Sequence, residues 1–258
     1  MSFFKKMLAS VGIGSAKVDT QLHTERLAAG EEVQGVAVLA GGELEQQIDS
    51  LYLFVKTQYI KEENDRKVTK EAIIDKILIS SAFTLGANER REIPFRFVLS
   101  EQTPITLRRT PVWIETGLDI KMAVDPTDRD LIEVLPHSHM GTVLDALEDL
   151  GFRLREITND YSPRLGQGLP FVQEFEFVPN AGPFRGLLDE LEVLFFLKGD
   201  DLELFLQIDR RARGLGGFFS EAMGADESFI RFTIPGDQLR RGSGYIADQL
   251  QELIRRYT

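Results

Sequence analysis

The sequence predicts an all-β protein built of two antiparallel β-sandwich domains, and three observations carry that prediction. Short alternating apolar runs recur along the chain with turn residues between them. Helical spacing is confined to the two termini and to one segment near residue 145. At 258 residues the chain is long enough for two domains that each bury a core, and its alternation breaks in a charged stretch around Pro126.

The elements follow in order. Phe3, Phe4, Met7, Leu8 and Val11 share one helical face, which predicts a short amino-terminal helix beside Lys5 and Lys6. Gly12 and Gly14 interrupt it and exclude a secretion signal. Ala16–Leu22 reads as a strand, Gly30 as a turn, and Val33–Leu39 as the next strand, closed by Gly41-Gly42 as a hairpin turn. Ile48–Ile60 is the strongest strand: Leu51, Leu53, Val55 and Tyr59 line one side, Tyr52 and Phe54 the other, so it is predicted central. Lys61–Lys70 reads as the charged tip of a long hairpin returning along Ile73–Phe83. Ile93–Leu99 and Thr110–Val124 complete a first domain of residues 1–124.

Pro126 lacks the amide a central ladder needs, and Asp125, Asp128, Arg129 and Asp130 crowd charge of both signs beside it. Residues 125–136 are therefore expected to connect the domains. Arg129, paired with an aspartate, would fix the angle between them.

The second domain, 137–242, opens with Val143, Leu144, Leu147 and Leu150 at helical spacing. Gly151 stands where that helix should stop, and Thr142 with Asp145 resembles a capping box. Phe152–Ile157, Phe171–Val178, Leu187–Leu197, Leu202–Ile208 and Phe229–Ile234 read as strands. Gly199-Asp200-Asp201 turns a hairpin whose Leu191, Val193, Phe195 and Leu197 face the core together with Leu202, Leu204, Leu206 and Ile208. Leu194, Phe196 and Phe205, on the opposite face, are too apolar to leave in water. The expected cover is a carboxy-terminal helix, 243–258, capped by Ser243 and carrying the stripe Ile246, Leu250, Leu253, Ile254 and Tyr257; a partner or second copy on that stripe, hence a homodimer, is the alternative.

Composition narrows the function. A net charge of -11 argues against general nucleic-acid binding, and the absence of cysteine excludes disulfides and thiolate metal sites. No apolar run approaches the roughly 20 residues of a spanning helix, so a soluble, cytoplasmic protein is expected. There is no Gly-x-Ser-x-Gly elbow and no phosphate-binding glycine loop with its Lys and Ser or Thr, so no catalytic residue is assigned and no cofactor is expected. His137 and His139, with Glu133 or Asp145, make an incomplete ligand set, and no metal is assigned. Arg210, Arg211 and Arg213 precede Phe218 and Phe219 on one long loop. Arginines and large aromatics are favoured in binding hot spots, so this loop is the expected partner-binding surface, with a plug folded back beneath it as the alternative.

Taken in order, the amino-terminal segment to Thr20, Glu45-Gln46-Gln47-Ile48, Thr57-Gln58-Tyr59, Thr116-Gly117-Leu118-Asp119-Ile120, Asp125-Pro126 through Asp130, Gln173-Glu174-Phe175-Glu176-Phe177, Asp189-Glu190-Leu191-Glu192 and Ile208-Asp209-Arg210-Arg211 resemble the sporulation-control protein family, SpoOM. The resemblance spans nearly the whole chain. It implies an arrestin-like fold of two β-sandwiches and a regulatory role, and it supplies no catalytic residues. The expectation is a non-enzymatic regulator or adaptor acting through contacts with other proteins. The alternative is a membrane-surface adaptor that uses Phe3, Phe4, Lys5 and Lys6 as a weak anchor.

Overall fold

The computed structural model describes residues 16–107, 110–120, 126–209 and 229–258. The expected amino-terminal helix with Phe3, Phe4, Lys5 and Lys6, the connector residue Asp125, and the loop residues Arg210, Arg211, Arg213, Phe218 and Phe219 lie outside the described residues. The described chain is predominantly strand, as the alternation predicts, and divides into two compact units. The first takes the described residues up to Thr57, Glu71–Thr106 and Pro111–Leu135; the second takes Gln58–Lys70, residues of Leu107–Thr110, and the chain from Pro136.

In the first unit, β1 (Lys17–Leu22), β3 (Glu32–Ala40) and β7 (Arg90–Val98) form an antiparallel sheet in the order β1-β3-β7. A second group of strands is organised on β4 (Gln46–Glu63). One edge of β4 pairs with β8 (Val112–Ile120), which pairs in turn with β9 (Thr127–Leu135), and β9 with the short β2 (Arg26–Ala28). The other edge takes β5 (Arg66–Ser80) and β6 (Phe83–Leu85). The hairpin from β4 to β5 turns at Asn64 and Asp65, both at positive φ, the backbone that a tight two-residue turn requires.

Alternation fills the first core. Leu53 and Val55 on β4 pack with Val33, Leu99, Val112, Ile114 and Val134. Ile48 and Leu51 pack with Val18, Ala37, Leu39, Leu85 and Leu118. Each such burial stabilises the fold by roughly 1.5–3 kcal/mol relative to exposure. Gly35 makes room for an aromatic ring here: a Cβ on it would stand 2.7 Å from Phe95 and 2.6 Å from the Gln21 carbonyl oxygen. Gly41-Gly42 does not close a hairpin, because β3 and β4 do not pair. Gly41 instead lets the chain pass the Gly86 carbonyl, which a Cβ would approach to 2.2 Å.

The expected connector is corrected. Residues 127–135 are strand β9 of the first unit, in a continuous ladder with β8. Pro126 lacks an amide but still opens that ladder, since its carbonyl accepts from the Leu118 N–H at 3.3 Å.

The second unit begins with α1 (Ser138–Asp149), which starts a turn earlier than the Thr142–Asp145 box suggests. His137 is its N-cap, its Nδ1 accepting from the His139 N–H at 3.2 Å. Val143, Ala146 and Leu147 are its buried face, and Gly151, at φ 86°, follows its end as expected. β10 (Phe152–Tyr161), β11 (Phe171–Pro179), β12 (Glu190–Lys198), β13 (Asp201–Asp209) and β14 (Ile230–Ile234) form one antiparallel path in sequence order. The β12–β13 register pairs Leu191 with Ile208, Val193 with Leu206, Phe195 with Leu204 and Leu197 with Leu202, the facing set that alternation predicts.

A short α2 (Gly236–Leu239) leads into α3 (Ser243–Arg255). The cap position belongs to Gly242, at φ 95°, and Ser243 is the first helical residue. Ile246, Ala247, Leu250 and Ile254 form the buried stripe, while Leu253 is half-buried and Tyr257 is 51% exposed beyond the helix end. Helix α3 packs against α1. The expected docking on Leu194, Phe196 and Phe205 is therefore corrected: those residues cluster with Val172, Leu165 and Phe229. The helical stripe finds a complementary helical stripe, which ridge-and-groove packing accommodates readily.

Candidate interaction surfaces

Arg129 lies inside the first unit, with an aromatic partner in place of the expected aspartate. The β8–β9 register sets Trp113 opposite Leu131 and Glu115 opposite Arg129, so these four side chains share one face. The Arg129 guanidinium lies 3.7 Å from the Trp113 ring centroid, and Glu71 approaches it at 4.0 Å. Trp113 is fully buried beneath this cover, its indole N–H without a partner. On β4 the same pattern repeats: Lys76 stands 3.9 Å over Tyr52, and Lys56, ion-paired with Glu115, lies 5.6 Å from Phe54. Cations set on aromatic faces cover the apolar side of the sheet.

The other side of β9 carries the acids. Asp128 accepts from the Thr20 N–H at 2.6 Å, and the Thr20 and Thr116 hydroxyls meet at 2.6 Å, which ties β1 to the β8–β9 ladder. Asp130 Oδ2 is buried without a hydrogen-bond partner. Burial, followed by repulsion from Asp128, Asp19 and Glu25, pushes the Asp130 carboxyl up to about 6.

The backbone of β9 is asymmetric. The Leu118–Pro126 hydrogen bond fixes the parity, so Asp128, Asp130 and Ile132 exchange bonds with β8 while Arg129 and Leu131 turn their amides and carbonyls to the opposite edge. On that edge β2 pairs only with Glu133–Leu135, and the Glu133 N–H reaches the Glu25 carbonyl at 2.6 Å. No described strand pairs with Arg129 or Leu131 there. An open groove of about 500 Å³ borders this end of β9, with Thr24, Arg26, Leu131 and Glu133 among its lining, and Leu131 is 64% exposed.

The second unit holds a different charged face. A β-bulge between Leu154 and Glu156 re-aims Arg155 to pair with Glu176 and Glu190. Glu176 stands opposite Glu192, itself opposite Gln207, and Glu174 is a neighbour one pleat along. Glu174 is 6% exposed with Oε2 unpartnered; burial, then the charge of Glu192, holds its carboxyl well above the ordinary range. Nearby, Asp160 is pushed up by burial.

His137 and His139 meet edge to face at 4.9 Å, and His139 Nε2 lies 3.9 Å from Asp200, which Arg240 also holds at 2.8 Å. Burial and the neighbouring His137 lower the His139 pKa. Among the described residues no group of three His, Asp or Glu side chains gathers as a metal site. Sequence reasoning singled out Asp128, Arg129 and Asp130 but missed Trp113, whose role depends on cross-strand register. It also missed the bulge at Arg155, which no turn residue announces.

These residues define an all-β scaffold whose distinctive chemistry lies on strand faces and edges. The family model described as SpoOM protein matches residues 4–212, and the chain belongs to that family. It is 41% identical over 257 residues to the sporulation-control protein Spo0M of Bacillus subtilis (strain 168), covering 100% of this chain and 99% of that protein. The crystal structure of Spo0M from Bacillus subtilis superposes with a TM-score of 0.89 at 39% identity, covering 95% of this chain and 100% of that one. A DNA-bound alkylpurine DNA glycosylase, AlkC of Pseudomonas fluorescens, overlaps 50% of this chain and 33% of its own with a TM-score of only 0.31 at 14% identity, too slight to support any argument. No described helix is long and apolar enough to cross a membrane.

Proposed function

We propose that this chain is a non-enzymatic regulator of sporulation that acts in the cytoplasm by holding other proteins on an arrestin-like pair of β-sandwiches. The observation that carries this reading is full-length similarity to a protein named for sporulation control, at 41% identity and without large insertions or truncations in either chain. Similarity at this level over the whole length favours a shared role over reuse of one domain. The distribution of chemistry supports it as well. The perturbed carboxylates Asp130, Asp160 and Glu174 lie dispersed on strands β9, β10 and β11 instead of converging on one cleft, with Asp128, the Thr158 hydroxyl and Glu192 as their respective polar neighbours.

The test is replacement. This chain's coding sequence, placed in Bacillus subtilis cells lacking their own Spo0M, restores the sporulation behaviour of the parent strain if the reading is right. Folded, abundant protein that leaves those cells unchanged would overturn it.

A further inference from the structure

Strand β9 ends the β4-β8-β9 ladder with half an edge uncovered. Its Arg129 and Leu131 amides and carbonyls point away from β8, and β2 reaches only as far as Glu133. Such an edge is a template for another strand. The side chains around it specify what kind. An added strand would alternate its side chains between the two faces of β9. On the outer face it would meet the exposed Leu131. On the inner face it would meet Asp128 and Asp130, with Asp19 and Glu25 close enough to raise the Asp130 pKa.

We propose that the open edge of β9 at Arg129–Leu131 binds an extended segment of a partner protein in which lysine or arginine alternates with apolar residues. Backbone pairing supplies the attachment, Leu131 packs the apolar positions, and the carboxylates of Asp19, Glu25, Asp128 and Asp130 receive the basic ones. The same carboxylates exclude a second copy of the chain, because two β9 edges brought together would set acid against acid. This inference rests on the proposed role as a protein-binding regulator and names the surface and the partner chemistry that would serve it.

The experiment uses the full chain and labelled synthetic peptides, followed by fluorescence anisotropy. A short peptide alternating valine with lysine binds, and one alternating valine with glutamate does not. Because binding draws the proton off Asp130, affinity for the lysine peptide falls about tenfold per pH unit below about 6, and Asp130→Asn flattens that dependence. Leu131→Pro removes an outward amide without touching the β8 ladder and abolishes binding. Should that variant fold poorly, the lysine peptide N-methylated along one edge replaces it, leaving the protein intact and losing affinity. Equal binding of the two peptides, no binding of either, or full binding of the N-methylated peptide overturns the proposal. So does dimerisation abolished by Leu131→Pro, which would give the edge to a second copy. Failure here with sporulation restored in the replacement strain removes the edge and keeps the regulatory role; the reverse result removes the role alone.

Discussion

Trp113 is the single tryptophan of the chain, so its emission reports on one place, beneath Arg129. Arg129→Ala removes both the stacked cation and the cover. It should shift that emission to longer wavelength and lower stability to urea by about 0.5–2 kcal/mol, with Arg129→Lys between the two. Asp130 makes a second prediction at this scale. Its folded carboxyl is raised to about 6 from an ordinary 3.8, so the folded state holds the proton more tightly. The charged, half-buried carboxylate therefore costs stability as pH rises through that window, and the cost is fully present above it. After allowance for solvent screening the cost is about 1–2 kcal/mol. Asp130→Asn should stabilise the first unit by that amount at about pH 7.5 and by little at about pH 4, as urea unfolding at the two pH values would show. The importance of these residues was legible in their crowding around Pro126. Their partners were not, because the contact between Arg129 and Trp113 and the nearness of Asp130 to Asp19 arise from strand register across the fold.

At the scale of elements, apolar alternation located most strands but not the short β2 and β6 or the charged β9, and each misassignment has its own physical cause. β9 reads as a connector because its inward positions near Pro126 are filled by Asp128 and Asp130, and acids are ordinarily taken as solvent-facing. The Thr142–Asp145 box was overshadowed by a histidine cap, an uncommon residue for that position. The carboxy-terminal helix was visible in its spacing, yet its dock was not, since the sheet face at Leu194, Phe196 and Phe205 and the helical face at Val143, Ala146 and Leu147 are both apolar. Its energetics separate the stripe from its neighbours. Leu250→Ala, in a fully buried site, should cost about 2–5 kcal/mol, whereas Tyr257→Ala should stay within about 0.5 kcal/mol. Thermal unfolding of the two variants against the parent would decide this, and equal losses would show that the helix docks through its far end.

For the whole molecule, the linear domain boundary expected after residue 124 gives way to units that exchange segments of chain. The 18-residue β4 is part of this: at about 3.3 Å per residue it runs roughly 60 Å, and its end and the start of β5 count with the second unit. The sequence shows this strand as Ile48–Ile60; that it continues to Glu63 depends on the pairing of a charged segment that alternation assigns to a hairpin tip. The retained protons have a consequence for the molecule as an electrolyte. Asp130, Asp160 and Glu174 hold protons above the ordinary carboxyl range, while Glu63, Glu89 and Asp200 are held below it, so the charge of the native particle is redistributed among its carboxyls; near pH 5 Asp130, raised to about 6, is mostly uncharged. On isoelectric focusing Asp130→Asn should therefore move the native protein little, since that group is already uncharged near the sequence value of about 4.9, and should raise the focusing position of the same protein in urea, where the carboxyl is ordinary.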